Sequence, residues 1–171
     1  MITYFLIGGD IGSAGANGNS YYQAFISKLE ENLTILVIPF ARDESEWEQI
    51  LQDTQKTFDN YKNGLKLSHA TIDPDEFLHQ VKNSRGILIK GGSTENLIKL
   101  LHKVGFASLD LSDKVISASS AGVYALSKSY FSLTNSSTEW PWLSGYYNSS
   151  AFWFGKIHSH RLERRSSAFT R

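Results

Sequence analysis

Short apolar runs alternate with amphipathic stretches along most of the chain. Tyr4-Phe5-Leu6-Ile7 reads as a buried strand. After a loop of glycines and small polar residues, Asn19 or Ser20 can cap a helix running to Leu29, with Tyr22, Phe25, Ile26 and Leu29 on one face. Leu33–Pro39 is apolar on both faces, as a central parallel strand must be. Asp43-Glu44-Ser45-Glu46 opens a helix, and acidic residues in a first turn suit the helix dipole. Its apolar face is Trp47, Ile50, Leu51, Thr54 and Phe58. Asn63-Gly64 breaks the chain before a third strand, Leu65–Ala70. Asp73-Pro74-Asp75-Glu76 starts a helix that turns Phe77, Leu78 and Val81 inward. Ile87–Ile89 is a fourth strand. Ser93 caps the helix carrying Leu97, Ile98, Leu100 and Leu101. Val115-Ile116 then climbs into the small residues Ser117–Gly122, and Val123, Tyr124 and Leu126 read as the start of another helix.

Strand–helix alternation with apolar strands predicts an α/β protein of flavodoxin-like type: a three-layer α/β/α sandwich around a mostly parallel sheet. A length of 171 residues suits one domain over residues 1–171 with one sizeable core. Lys+Arg and Asp+Glu are each 17, so charge in bulk asks for no nucleic-acid or membrane partner. The absence of cysteine excludes disulfides, thiolate metal sites and a cysteine nucleophile. The first seven residues lack the basic start and the length of a signal peptide, and no run reaches transmembrane length, so the default expectation is a cytoplasmic protein.

Sites in such folds lie at the carboxyl ends of strands. The stretch Lys114–Leu126, KVISASSAGVYAL, has the form of a nucleophile elbow there: a strand, a turn of small residues, then a helix. Centred on Ser120, the pattern puts Ala118 before the nucleophile and Gly122 after it. The hydroxyl would stand exposed in a strained turn, and the Ala121 N–H could meet a developing oxyanion. The plainer alternative is a tight strand-to-helix connection. Gly91-Gly92 forms a second such turn, where a glycine lets an N–H face the site with no Cβ in the way, so Gly92 is the second candidate donor. Gly91 and Ser93 beside it are candidate substrate contacts. The loop from Gly8 to Gly18 could cradle phosphate, but it has no Gly-Lys-Ser/Thr, and its glycines at 9, 12 and 15 miss the dinucleotide spacing. No cofactor is expected.

A serine nucleophile needs a base. His79 and His102 fall on predicted helices, and His69 ends a strand. His158 and His160 follow the aromatic run Phe152-Trp153-Phe154. Two residues apart on a strand, they would share a face, which also raises a metal reading, but no third ligand is evident. The candidates to orient the base are Asn135, Glu139 and Asp10.

With these pieces assembled, the chain resembles the dipeptidase E / cyanophycinase family of serine peptidases, whose fold is related to class I glutamine amidotransferases. Ile87–Leu101, ILIKGGSTENLIKLL, is similar to the family's strand–Gly-Gly–helix segment, Ser119–Gly122 to its Ser-Ala-Gly elbow, and the strand ending in IPFA to its second strand. The resemblance covers roughly residues 1–145. It implies Ser120 as nucleophile, Gly92 and Ala121 as oxyanion donors, and a histidine some tens of residues later. His158 fits that place best, with His160 second. Where many members carry an acid, this chain offers Asn135. Gly145–Arg171 matches poorly and family members continue further, so a truncated or altered tail is expected. The sheet edge that this leaves could favour a homo-oligomer.

The expected activity is hydrolysis of a short peptide or isopeptide, with an acidic residue beside the scissile bond. Arg161, Arg164 or Arg165, with Arg164 first, could pair with a substrate carboxylate; a solvated basic tail is the plainer reading. The rival from another class is a catalytically inactive relative that keeps the fold as a binding or interaction module.

Overall fold

The structure is a computed structural model. It describes residues 2–9, 11, 16–29, 34–62, 64–127, 129–130, 138–139 and 150–154. The elements that build the domain are β1 (Thr3–Ile7), α1 (Ala16–Ile26), β2 (Thr34–Ile38), α2 (Trp47–Asp59), β3 (Lys66–His69), α3 (Pro74–Asn83), β4 (Gly86–Ile89), α4 (Thr94–Lys103), β5 (Val115–Ser119) and α5 (Ala121–Leu126). A short antiparallel pair follows, β6 (Ser129–Tyr130) with β7 (Thr138–Glu139), and then β8 (Ser150–Phe154).

Six strands form one sheet in the order β3-β2-β4-β5-β1-β8. All its neighbours run parallel. Side chains alternate between faces with the period of the strand, and each face has its own core. Ile35, Val37, Leu88, Phe5 and Ile7 pack with Tyr21 and Phe25 of α1 and Phe58 of α2. Leu36, Ile38, Ile87, Ile89, Ile116 and Ala118 pack with Phe77 and Val81 of α3, Leu97 and Leu101 of α4, and Val123 and Leu126 of α5. This is the three-layer α/β/α sandwich that the alternation predicts. Strands covered on both faces favour apolar residues, and β4 is apolar and buried at every position. β5 is equally buried, and its Ser117 hydroxyl is hydrogen-bonded to Tyr21 of α1.

The helices start where their caps dictate. Asp73 accepts the Glu76 N–H at 2.9 Å with Pro74 behind it, and Ser93 accepts the Asn96 N–H at 3.2 Å. α2 is preceded by a 3-10 turn, Glu44–Glu46. α1 departs from the expected bounds: it begins at Ala16 rather than at Asn19 or Ser20, and it ends at Ile26. Gly18, which the sequence assigns to the glycine-rich loop, lies buried inside it. Beyond Ile26 the chain tightens to three-residue bonds, Lys28 N–H to Phe25 O and Leu29 N–H to Ile26 O, and Leu29 still reaches the core.

β2 lies between β3 and β4, so the chain leaves it to one side and returns on the other. A crevice at such a reversal, outside the carboxyl ends of the strands, is where doubly wound folds bind ligands. Among the described residues, no helix is long and apolar enough to cross a membrane.

Candidate active site

Ser120 joins β5 to α5 with φ 47° and ψ −111°. Among the described residues, only Asp113 shares a positive φ without being glycine. Such backbone costs about 1–3 kcal/mol and persists only where its surroundings over-determine it. Here they do. The Ser120 N–H donates to Ile7 O at the end of β1 (3.1 Å), and its carbonyl accepts from Val123 N (2.9 Å) and Tyr124 N (3.3 Å). Ile116, Ala118, Ala121 and Val123, on either side, are all buried. The Ser120 side chain itself is half-buried, and its hydroxyl bonds to no described residue.

Small residues make this bend feasible. A Cβ on Gly122 would come within 3.0 Å of both Cγ2 and O of Ile89, so only glycine lets α5 approach β4. Across the bend, a Cβ on Gly91 would lie 3.1 Å from Ser120 Cβ. Gly92 has φ 149°, and a Cβ there would overlap the Ala41 carbonyl oxygen. That carbonyl accepts the Ser93 N–H at 2.8 Å. The β4–α4 turn is thereby stitched to the β2–α2 loop and laid against Ser120.

These turns line a cleft of about 940 Å³. Gly9 and Ile11 come from beyond β1, Arg42 from beyond β2, Lys90, Gly91 and Gly92 from beyond β4, and Ser119 and Ser120 from β5 and its end. α1 adds Tyr22, and α2 adds Gln49, Ile50 and Asp53, with Glu46 just before it. Among the described residues, the Gly92 N–H meets no acceptor. The Ala121 N–H opens α5, where the helix offers it no acceptor.

Ser120, Gly91 and Gly92 are thus brought together on one cleft, with Ala121 next in the chain. Ser93 does not line it; its hydroxyl is used in capping α4. His69, at the end of edge strand β3, sets its ring at a tilt beside Trp47, while His79 bonds to Asn83 on α3 and His102 lies exposed on α4. None of the three is on the cleft. Glu139 belongs to β7. His158, His160, Asn135, Arg164 and Asp10 lie outside the described residues.

Sequence reading missed Arg42, Lys90 and the polar face of α2. The sequence of this helix shows an acidic start and an apolar face, neither of which points to a cleft, yet Arg42 stands just past the carboxyl end of β2, where the rule for these folds directs attention.

A model of Peptidase family S51 matches residues 5–140. The chain belongs to peptidase family S51. This is the dipeptidase E / cyanophycinase family that the Gly-Gly turn and the elbow resemble. The matched span runs from within β1 to β7, with the Gly91-Gly92 turn and Ser120. No curated protein matches the chain. Among solved structures, it is similar to a Listeria monocytogenes EGD-e protein provisionally described as a peptidase E, with 22% identity and a TM-score of 0.46. That match covers 58% of this chain and 54% of that one, so the chain spans about half the length of that relative.

Proposed function

We propose that the chain is a serine peptidase of short peptides or isopeptides, with Ser120 as its nucleophile. What carries this reading is the backbone of Ser120: a non-glycine residue held at φ 47° on a strand-to-helix bend, facing a cleft. A tight connection with no chemistry to do would place glycine there and avoid the strain.

In this mechanism a histidine takes the proton of Ser120 as its oxygen attacks the substrate carbonyl. His158 is the first choice and His160 the second, with Asn135 or Glu139 to orient the ring. The N–H groups of Gly92 and Ala121 receive the oxyanion of the tetrahedral intermediate. Its collapse expels the amine, which leaves with the proton from the histidine, and water then hydrolyses the acyl-serine by the same route reversed. No cofactor enters. The partner is a small peptide with an acidic residue beside the scissile bond.

Turnover of short aspartyl peptides by the full chain tests the reading. Ser120→Ala should abolish it. Turnover that survives in Ser120→Ala removes Ser120 from the chemistry. A folded wild-type chain that binds such peptides without cleaving them favours the binding-module reading.

A further inference from the structure

On the reading of the cleft as a peptidase site, we propose that Arg42 is the residue that receives a carboxylate of the peptide substrate. It sits in the β2–α2 loop, well apart in sequence from the tail arginines. The Arg42 Nε–H donates to Gly91 O at 3.0 Å, which fixes the plane of the guanidinium against the turn beside Ser120. Its stem packs on the same turn, since a Cβ on Gly92 would come within 3.0 Å of Arg42 Cδ. Trp47 steadies the loop by donating from Nε1 to Arg42 O at 3.1 Å.

With Nε committed, the two terminal nitrogens remain as the fork that meets a carboxylate with two parallel bonds. Among the described residues, Arg42 makes no ion pair, and none of their acids satisfies the fork. Lys90, the other cation on the cleft, directs its ammonium to Thr54 Oγ1 on α2 at 3.4 Å. Glu46 and Asp53 make the α2 wall acidic, which disfavours an anion along it. The guanidinium therefore marks where the cleft accepts one, a short reach from the N–H of Gly92 and the hydroxyl of Ser120.

Binding in the Ser120→Ala chain tests this without any turnover. Four peptides are compared by calorimetry: Asp-Leu, Asp-Leu amide, Asn-Leu and Asn-Leu amide. They differ only in the side-chain and terminal carboxylates. Arg42→Gln should weaken binding about tenfold or more wherever the carboxylate it holds is present. A side-chain partner affects Asp-Leu and Asp-Leu amide; a terminal partner affects Asp-Leu and Asn-Leu. Arg42→Lys keeps the charge but not the fork, and should fall between. Equal affinity for all four peptides in the parent, or an equal loss for all four in Arg42→Gln, would overturn the role. Because the nucleophile is absent from this experiment, a failure of catalysis in the wild-type chain leaves its result standing. Loss of carboxylate-dependent binding likewise leaves the turnover result standing.

Discussion

Gly91 abuts Ser120 so closely that a Cβ on the glycine would lie 3.1 Å from the Cβ of the serine. Two turns from different strands, β4 and β5, share one small volume at the carboxyl edge of the sheet. Everything proposed for the cleft follows from that closeness: a hydroxyl, a pair of backbone donors and a guanidinium held by the same turn.

The strain at Ser120 can be measured. Replacing it with glycine releases a backbone cost of about 1–3 kcal/mol and gives back about 0.5–1 kcal/mol through the freer unfolded chain. Ser120→Gly should therefore be about 1 kcal/mol more stable than wild type in urea unfolding, while Ser120→Ala, with the same backbone cost, should stay close to wild type. Both should lack turnover. A Ser120→Gly chain less stable than Ser120→Ala would show that the bend is unstrained.

Gly92 and Gly105 separate crowding from conformation. Both have positive φ, 149° and 69°, but only at Gly92 would a Cβ strike backbone. Gly105→Ala meets open space and should cost about 1 kcal/mol, the usual penalty of left-handed backbone. Gly92→Ala must also push away the Ala41 carbonyl, and should cost about 3 kcal/mol along with most of the activity. Equal losses at the two sites would mean that the Ala41 contact yields freely.

Beneath the site, Tyr21 of α1 is fully buried, and its hydroxyl bonds to Ser117 on β5 and to Phe5 O on β1. Burial pushes its pKa well above the ordinary phenol value, only partly offset by the Ser117 hydrogen bond. Tyr21→Phe strands the Ser117 hydroxyl and should cost about 1–2 kcal/mol at neutral pH. The folded chain holds this proton more tightly than the unfolded one. Wild-type stability from this group is thus intact below about pH 10 and declines as pH rises beyond it. The gap between wild type and Tyr21→Phe should narrow in alkaline unfolding titrations. A gap that widens above that pH would reverse the assignment.

Much of this architecture was legible because burial on both faces leaves a coarse mark. Ile35–Ile38 and Ile87–Ile89 hold no polar residue, and Asp73 and Ser93 announce their helices. Gly18 hid the start of α1, since a buried glycine packed inside a helix looks the same in sequence as one that ends it. The elbow could be read from Ser119–Gly122 because steric demand restricts those positions to small residues. Arg42 could not be singled out in the same way. One arginine in a polar loop looks like any solvated charge, and only the packing of Gly91 and Gly92 against it shows otherwise.

The identity of the nucleophile is best tested by covalent labelling of the intact chain with a fluorophosphonate probe, followed by mass mapping of the modified peptide. The account predicts a single adduct on Ser120, absent from Ser120→Ala. An adduct on another residue, or a folded chain that takes up no label, would contradict it.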